Sequence, residues 1–106
     1  MKSVFTSINP LSKDTRLTAI VQKIYTKAHN GLDIANARLF KICEPDILVI
    51  GKKYAKNENQ ADEIIQDARV YLVNVINDKN TFINNFQYYM RKIVSCIGKN
   101  YQKQES

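Results

Sequence analysis

The sequence predicts an all-α protein: a compact bundle of four to five helices, the last two forming an antiparallel hairpin. Three observations carry this. Glycine and proline are scarce, 3 and 2 residues in a chain of 106, so the punctuation that many short strands need is missing. Alternation of apolar and polar residues at period two is equally scarce. Apolar residues recur instead at steps of three and four over long stretches, which marks one stripe of a 3.6-residue helix.

In chain order, residues 1–11 read as a flexible arm ending at Asn9-Pro10. Residues 12–103 read as one helical domain and 104–106 as a frayed tail. The first helix is expected from Ser12 or Asp14 to Ala28, with Leu17, Ile20, Val21, Ile24, Tyr25 and Ala28 as its stripe. Asn30-Gly31 stops it. A second helix is expected from Asp33 to Cys43 on Ile34, Ala37 and Ile42, with the Leu39-Phe40 pair between them. Glu44-Pro45 should interrupt it, because the residue before proline is pushed out of the α region and proline suits the first turn of a new helix. A third helix then runs from Pro45 to about Lys56 and ends in a basic cluster, Lys52, Lys53 and Lys56.

The last two helices are the clearest. Asn59 is placed to cap the fourth, with Asp62 in its first turn complementing the helix dipole. Ile64, Ile65, Ala68, Tyr71, Leu72, Val75 and Ile76 form its apolar face, with Val70 and Val73 exposed beside it. Asn77-Asp78-Lys79-Asn80 is a polar turn and Thr81 is placed to cap the fifth helix. That helix carries Phe82, Ile83, Phe86, Tyr89, Met90, Ile93, Val94 and Ile97, and Gly98 loosens its end. The short connector implies antiparallel packing.

Composition bounds the function. A chain of this length can bury one core without disulfide or metal help. Hydrophobic residues at 44% and charged residues at 25% exclude a wholly disordered or collagen-like chain. No apolar run approaches the ~20 residues that span a bilayer, so no membrane partner is expected. The N-terminus lacks the apolar block of a secretory signal. Sixteen basic residues against 10 acidic give a net charge of +6 and a pI near 9.4, which favours a polyanionic partner such as nucleic acid. Cys43, Cys96 and His29 are too few for a zinc site and read as two reduced thiols and a helix-end histidine in a cytoplasmic protein. No nucleophile-base pair, phosphate-cradling loop or carboxylate pair is visible, so neither an enzyme nor a cofactor is expected.

The residues off the stripes are chemically divided. Asp62, Glu63, Gln66 and Asp67 open the fourth helix as two i, i+4 pairs. In a basic protein, that acidic and polar start suits a basic partner surface. The last helix has the opposite character. Tyr88, Arg91, Lys92, Ser95 and Lys99 share its outer side. Cations neutralise phosphates, and an exposed tyrosine ring can stack on an unpaired base.

In this order and spacing, Ala61-Asp62-Glu63-Ile64-Ile65-Gln66-Asp67 resembles the A-E-D-L-V-Q-E stretch in region 2 of bacterial RNA polymerase sigma factors. Phe86-Gln87-Tyr88-Tyr89-Met90-Arg91-Lys92-Ile93-Val94 resembles that family's F-x-x-W-L-x-R-I-A helix. Asp33, Ala37, Leu39-Phe40, Pro45 and Tyr54-Ala55 fit its looser upstream pattern. The likeness covers about residues 30–103.

The resemblance implies a sigma region 2-like fold. It implies that Asp62, Glu63, Gln66 and Asp67 dock on the clamp helices of the β′ subunit of core RNA polymerase. Asn80, Tyr88, Tyr89, Arg91, Lys92, Ser95 and Lys99 would then face the promoter −10 element and the non-template strand. The −35-reading domain of the family is not contained in the 106 residues, so a second sigma-like subunit is the expected partner for that role. Arg69 stands where the family usually has a large apolar residue, Cys96 where many members have Asn, and Asn100 where many have Asp. The departures at Arg69 and Cys96 favour an alternative, a polymerase-binding regulator that competes with or redirects sigma factors without reading DNA. A third possibility is a helical nucleic-acid-binding protein with no link to polymerase.

Overall fold

The computed structural model describes the backbone of residues 9–105 and the side chains of 15–104. These residues form a bundle of four helices: α1 Asn9–His29, α2 Asp33–Tyr54, α3 Glu58–Asn77 and α4 Phe86–Glu105. The arm expected over 1–11 lies outside the described residues up to position 8, and residues 9–11 already belong to α1. The tail expected over 104–106 continues α4 through Glu105.

α1 ends where Asn30-Gly31 predicts. Gly31 takes φ +98°, its amide donates to the Ala28 carbonyl at 3.0 Å, and the Leu32 amide donates to Lys27 at 3.1 Å. This is a Schellman closure, in which a residue without Cβ takes the left-handed position.

The break expected at Glu44-Pro45 is absent. α2 runs through Pro45 as one helix of 22 residues. The proline is exposed, so its ring faces solvent. A mid-helix proline costs about 3 kcal/mol. Packing outweighs that here: Ala35, Leu39, Cys43, Ile47 and Gly51 form an unbroken buried row at steps of four, and α2 packs against all three other helices. The row also corrects the expected face, since Ile34 and Ala37 are exposed.

The cap of α3 lies two residues before the expected one. Asn57 is the N-cap, its side chain accepting from the Gln60 amide at 2.8 Å, while Gln60 Oε1 accepts from the Lys56 amide at 2.8 Å. Asn57-x-x-Gln60 is therefore a capping-box variant. Asn59 lies inside the first turn. Thr81 likewise caps nothing. Residues 78–85 form a loop, and Asn85 caps α4 by accepting from the Tyr88 amide at 3.1 Å.

Ile64, Ile65, Ala68, Leu72 and Ile76 of α3 meet Phe86, Met90 and Val94 of α4 and Val21, Tyr25 and Ala28 of α1 in one core around the α2 row. The hairpin is antiparallel: Asp67, midway along α3, meets Tyr101 near the end of α4, and Tyr71, one turn further on, meets Tyr89 near its start. Among the described residues no helix is long and apolar enough to cross a membrane.

Candidate functional site

α3 and α4 turn different chemistry outward. On α3, Asp62, Glu63, Gln66 and Asp67 are all exposed, but they spread over two flanks. Asp62 borders α2, lining an open cleft of about 520 Å³ with Lys52, Lys56 and Glu58. Gln66 follows one turn on. Two cations of the expected basic cluster thus stand beside the acidic helix start. Further along the same flank, Arg69 reaches across to Glu44 at 2.9 Å.

Glu63 and Asp67 lie on the flank toward α4. There the Tyr101 hydroxyl donates to Asp67 Oδ2 at 2.5 Å. That bond, with burial and the Asp67 charge adding less, pushes the Tyr101 phenol up to about 12. A tyrosine raised above its ordinary value of about 10 binds its proton longer when folded than when unfolded. The stabilisation from this bond is therefore complete below pH ~10 and is lost as pH rises from there through 12. In Asp67→Ala, spectroscopic titration of the phenols should find the Tyr101 midpoint back near 10. A midpoint still near 12 would mean that Asp67 is not the cause.

On α4, the residues opposite the buried row of Phe86, Met90, Val94 and Gly98 make a ridge. Tyr88, Lys92, Ser95 and Lys99 lie along it, with Lys103 beyond. Tyr88 is 64% exposed, Lys92 and Lys99 are exposed, and Ser95 is half-buried. The other expected DNA-facing residues stand apart from this ridge. Arg91 turns to the α2 flank, where its Nε donates to Asp46 Oδ2 at 2.9 Å. Tyr89 turns to the opposite flank and packs against the core. Its phenol is pushed up to about 12, first by burial and then by a hydrogen bond with Tyr71. Asn80 is exposed on the 78–85 loop, its amide donating to Asp78 Oδ1 at 3.0 Å.

Phe82 was expected in the α4 stripe. It lies in the loop, 48% exposed, with its inner edge against Tyr25 and His29 at ring-centroid distances of 5.3 and 5.5 Å. The signal for this was present in Asn84-Asn85, a pair of capping residues directly before Phe86. His29 is buried at the end of α1, and its Nδ1 lies 3.1 Å from the Ile76 carbonyl, which can only accept. Cys43 and Cys96 are unbonded. Burial pushes the Cys43 thiol up to about 12, with Asp46 adding and Arg91 opposing. No group of three His, Cys, Asp or Glu side chains that could hold a metal occurs among the described residues.

Comparisons with protein families, curated proteins and solved structures find no match to this chain.

Proposed function

We propose that the chain is a sigma-like transcription initiation factor. Asp62, Glu63, Gln66 and Asp67 dock on the β′ clamp helices of core RNA polymerase. Tyr88, Lys92, Ser95 and Lys99 engage promoter −10 DNA and the opened non-template strand. One observation carries this reading: two antiparallel neighbours expose opposite chemistry, an acidic helix start on α3 and a cationic, aromatic ridge on α4. An acidic start suits a basic protein surface. A lysine row beside an exposed ring suits a phosphate track with unpaired bases. The polymerase supplies the catalysis.

The test is binding of the purified chain to bacterial core RNA polymerase, with and without a substitution in the β′ clamp helices. Binding is expected, together with its loss on the clamp substitution. Affinity for promoter DNA should fall with salt by about one logarithmic unit per logarithmic unit of salt for each phosphate engaged. No binding to core polymerase at moderate salt would sink the proposal.

The second reading, a regulator that occupies the clamp without reading DNA, is favoured by the pairing of Arg91 with Asp46 and of Tyr89 with Tyr71. Both remove expected DNA-facing groups from the ridge.

A further inference from the structure

The 78–85 loop has few hydrogen bonds of its own. The Thr81 amide donates to the Asp78 carbonyl at 3.3 Å and the Asn80 amide to Asp78 Oδ1 at 3.0 Å. The backbone where the loop enters α4 is held by α1 instead. Gln22 Nε2 donates to the Ile83 carbonyl at 2.7 Å, and Gln22 Oε1 accepts from the Phe86 amide at 2.8 Å. The Tyr25 hydroxyl accepts from the Ile83 amide at 3.0 Å. Beneath them the Tyr25 ring stacks on Phe86 at 4.7 Å and 14°. Further back, Lys79 Nζ donates to the His29 carbonyl at 2.7 Å.

Three backbone tethers, two at Ile83 and one at Phe86, thus come from two side chains about one turn apart on α1, and Tyr25 is fully buried. The opposite side of the loop is left to solvent. Asn80, Thr81, Asn84 and Asn85 are exposed, and Phe82 presents about half its surface. Six residues on, Tyr88 presents more. The Phe82 ring, with its inner edge on Tyr25 and His29, keeps its outer half in water. It has the right chemistry to receive the flat face of a base.

We propose that Gln22 and Tyr25 are positioning residues for capture of single-stranded DNA: by clamping Ile83 and Phe86 they fix where the rings of Phe82 and Tyr88 stand, and the ligand is an unpaired base stacked on those rings. This rests on the DNA-engaging reading above. It adds α1 to the site and adds Phe82 as a contact. Pre-organisation supplies the effect, because a loop ordered before binding does not have to be ordered by the ligand.

Tyr25→Phe keeps the stacked ring and removes only the hydroxyl. Gln22→Leu removes both amide bonds at similar size. Phe82→Ala leaves the clamp and removes a ring. The full chain and each variant are titrated at low salt against a fluorescein-labelled single strand of about 10 nucleotides, a length such surfaces accommodate, and against the same sequence as a duplex. Amide exchange at Ile83 and Phe86 is followed by NMR.

Tyr25→Phe should exchange faster at Ile83 and Gln22→Leu at Phe86, and both should lose about tenfold in single-strand affinity, the lower range of one stacked base. Duplex affinity, which depends on phosphate contacts, should change less than about twofold. Phe82→Ala should lose single-strand affinity with exchange unchanged. Faster exchange with unchanged single-strand affinity in both clamp variants would overturn the proposal, as would unchanged exchange. An equal loss on single strand and duplex would also overturn it, since a general loss of fold acts on both. An unaltered chain with no preference for the single strand would overturn the stacking reading itself.

Discussion

Gly98→Ala should unfold about 10 °C below the unaltered chain, although alanine is the better helix former. A Cβ at position 98 would stand 2.6 Å from Tyr54 Cβ, 2.7 Å from Cγ and 2.8 Å from Cδ2. Tyr54 Cβ is fixed to its own backbone at the end of α2, so no rotamer change relieves the clash. α4 must move off α2. Overpacking of this kind costs about 1–3 kcal/mol, and the helix-propensity gain of about 1 kcal/mol offsets only part. Against a fixed Cβ the cost lies at the upper end, about 3 kcal/mol, and the net loss of about 2 kcal/mol lowers the melting temperature of a domain this size by roughly 10 °C.

Gly51→Ala provides the comparison. Its added Cβ meets Ile65 Cγ1 at 2.8 Å and Cδ1 at 3.4 Å, atoms of a side chain that can rotate. The expected loss is under about 1 kcal/mol, since the clash is partly relieved and the propensity gain is the same. Thermal melts of the two variants check the order. A Gly98→Ala chain as stable as Gly51→Ala would mean that the α2–α4 crossing is looser than the close approach at Tyr54 requires.

The same crossing explains what the sequence could and could not tell. The α3 stripe was legible at Ile64, Ile65, Ala68, Leu72 and Ile76, which are buried, while Tyr71, counted in the same stripe, is 45% exposed. Pro45 misled because its local rule is sound, while the decision belonged to the buried row beneath it and to three neighbouring helices. Asn57 and Asn59 are both good caps by type. Gln60 decides between them, and its side-chain reach back to the Lys56 amide shows only in three dimensions. Phe82 continued an apolar spacing into a loop because Tyr25 and His29 of α1 cover its inner edge.

In the candidate site, the types of the exposed residues were legible and their availability was not. Arg91 pairs with Asp46, 45 residues away, and Tyr101 with Asp67, 34 residues away. No pattern within one helix encodes either pair. Of the six tyrosines in the chain, spacing within the last helix already marked Tyr88 as the one to stand on the ridge. Tyr88 does so because its position lies opposite the buried row of α4. Tyr89, one residue on, falls beside α3.

Lys92→Glu should separate the two polymerase readings. Lys92 lies on the exposed ridge between Tyr88 and Lys99, and none of the salt bridges named above involves it. Reversal therefore leaves the fold intact, since an exposed surface change stays within about 0.5 kcal/mol. Beside DNA, the change removes one phosphate contact and sets a carboxylate against the backbone. Like charges brought together cost several kcal/mol, so promoter affinity of the polymerase complex should fall by about a hundredfold at low salt. The salt slope of the remaining binding should shrink by about one. Binding to core polymerase alone should be unchanged, because position 92 is on α4 and the docking residues are on α3. Gln66→Ala combined with Asp67→Lys should act in the opposite order, lowering polymerase binding first and promoter occupancy only as a consequence. Asp67→Lys also removes the acceptor of the Tyr101 hydroxyl, so a melt and an Asp67→Ala control separate docking from the loss of that bond. If Lys92→Glu leaves promoter-dependent transcription untouched while the α3 pair abolishes polymerase binding, the chain occupies the clamp without reading DNA. If the α3 pair leaves polymerase binding untouched, neither polymerase reading survives, and the ridge of α4 must be explained as a nucleic-acid surface on its own.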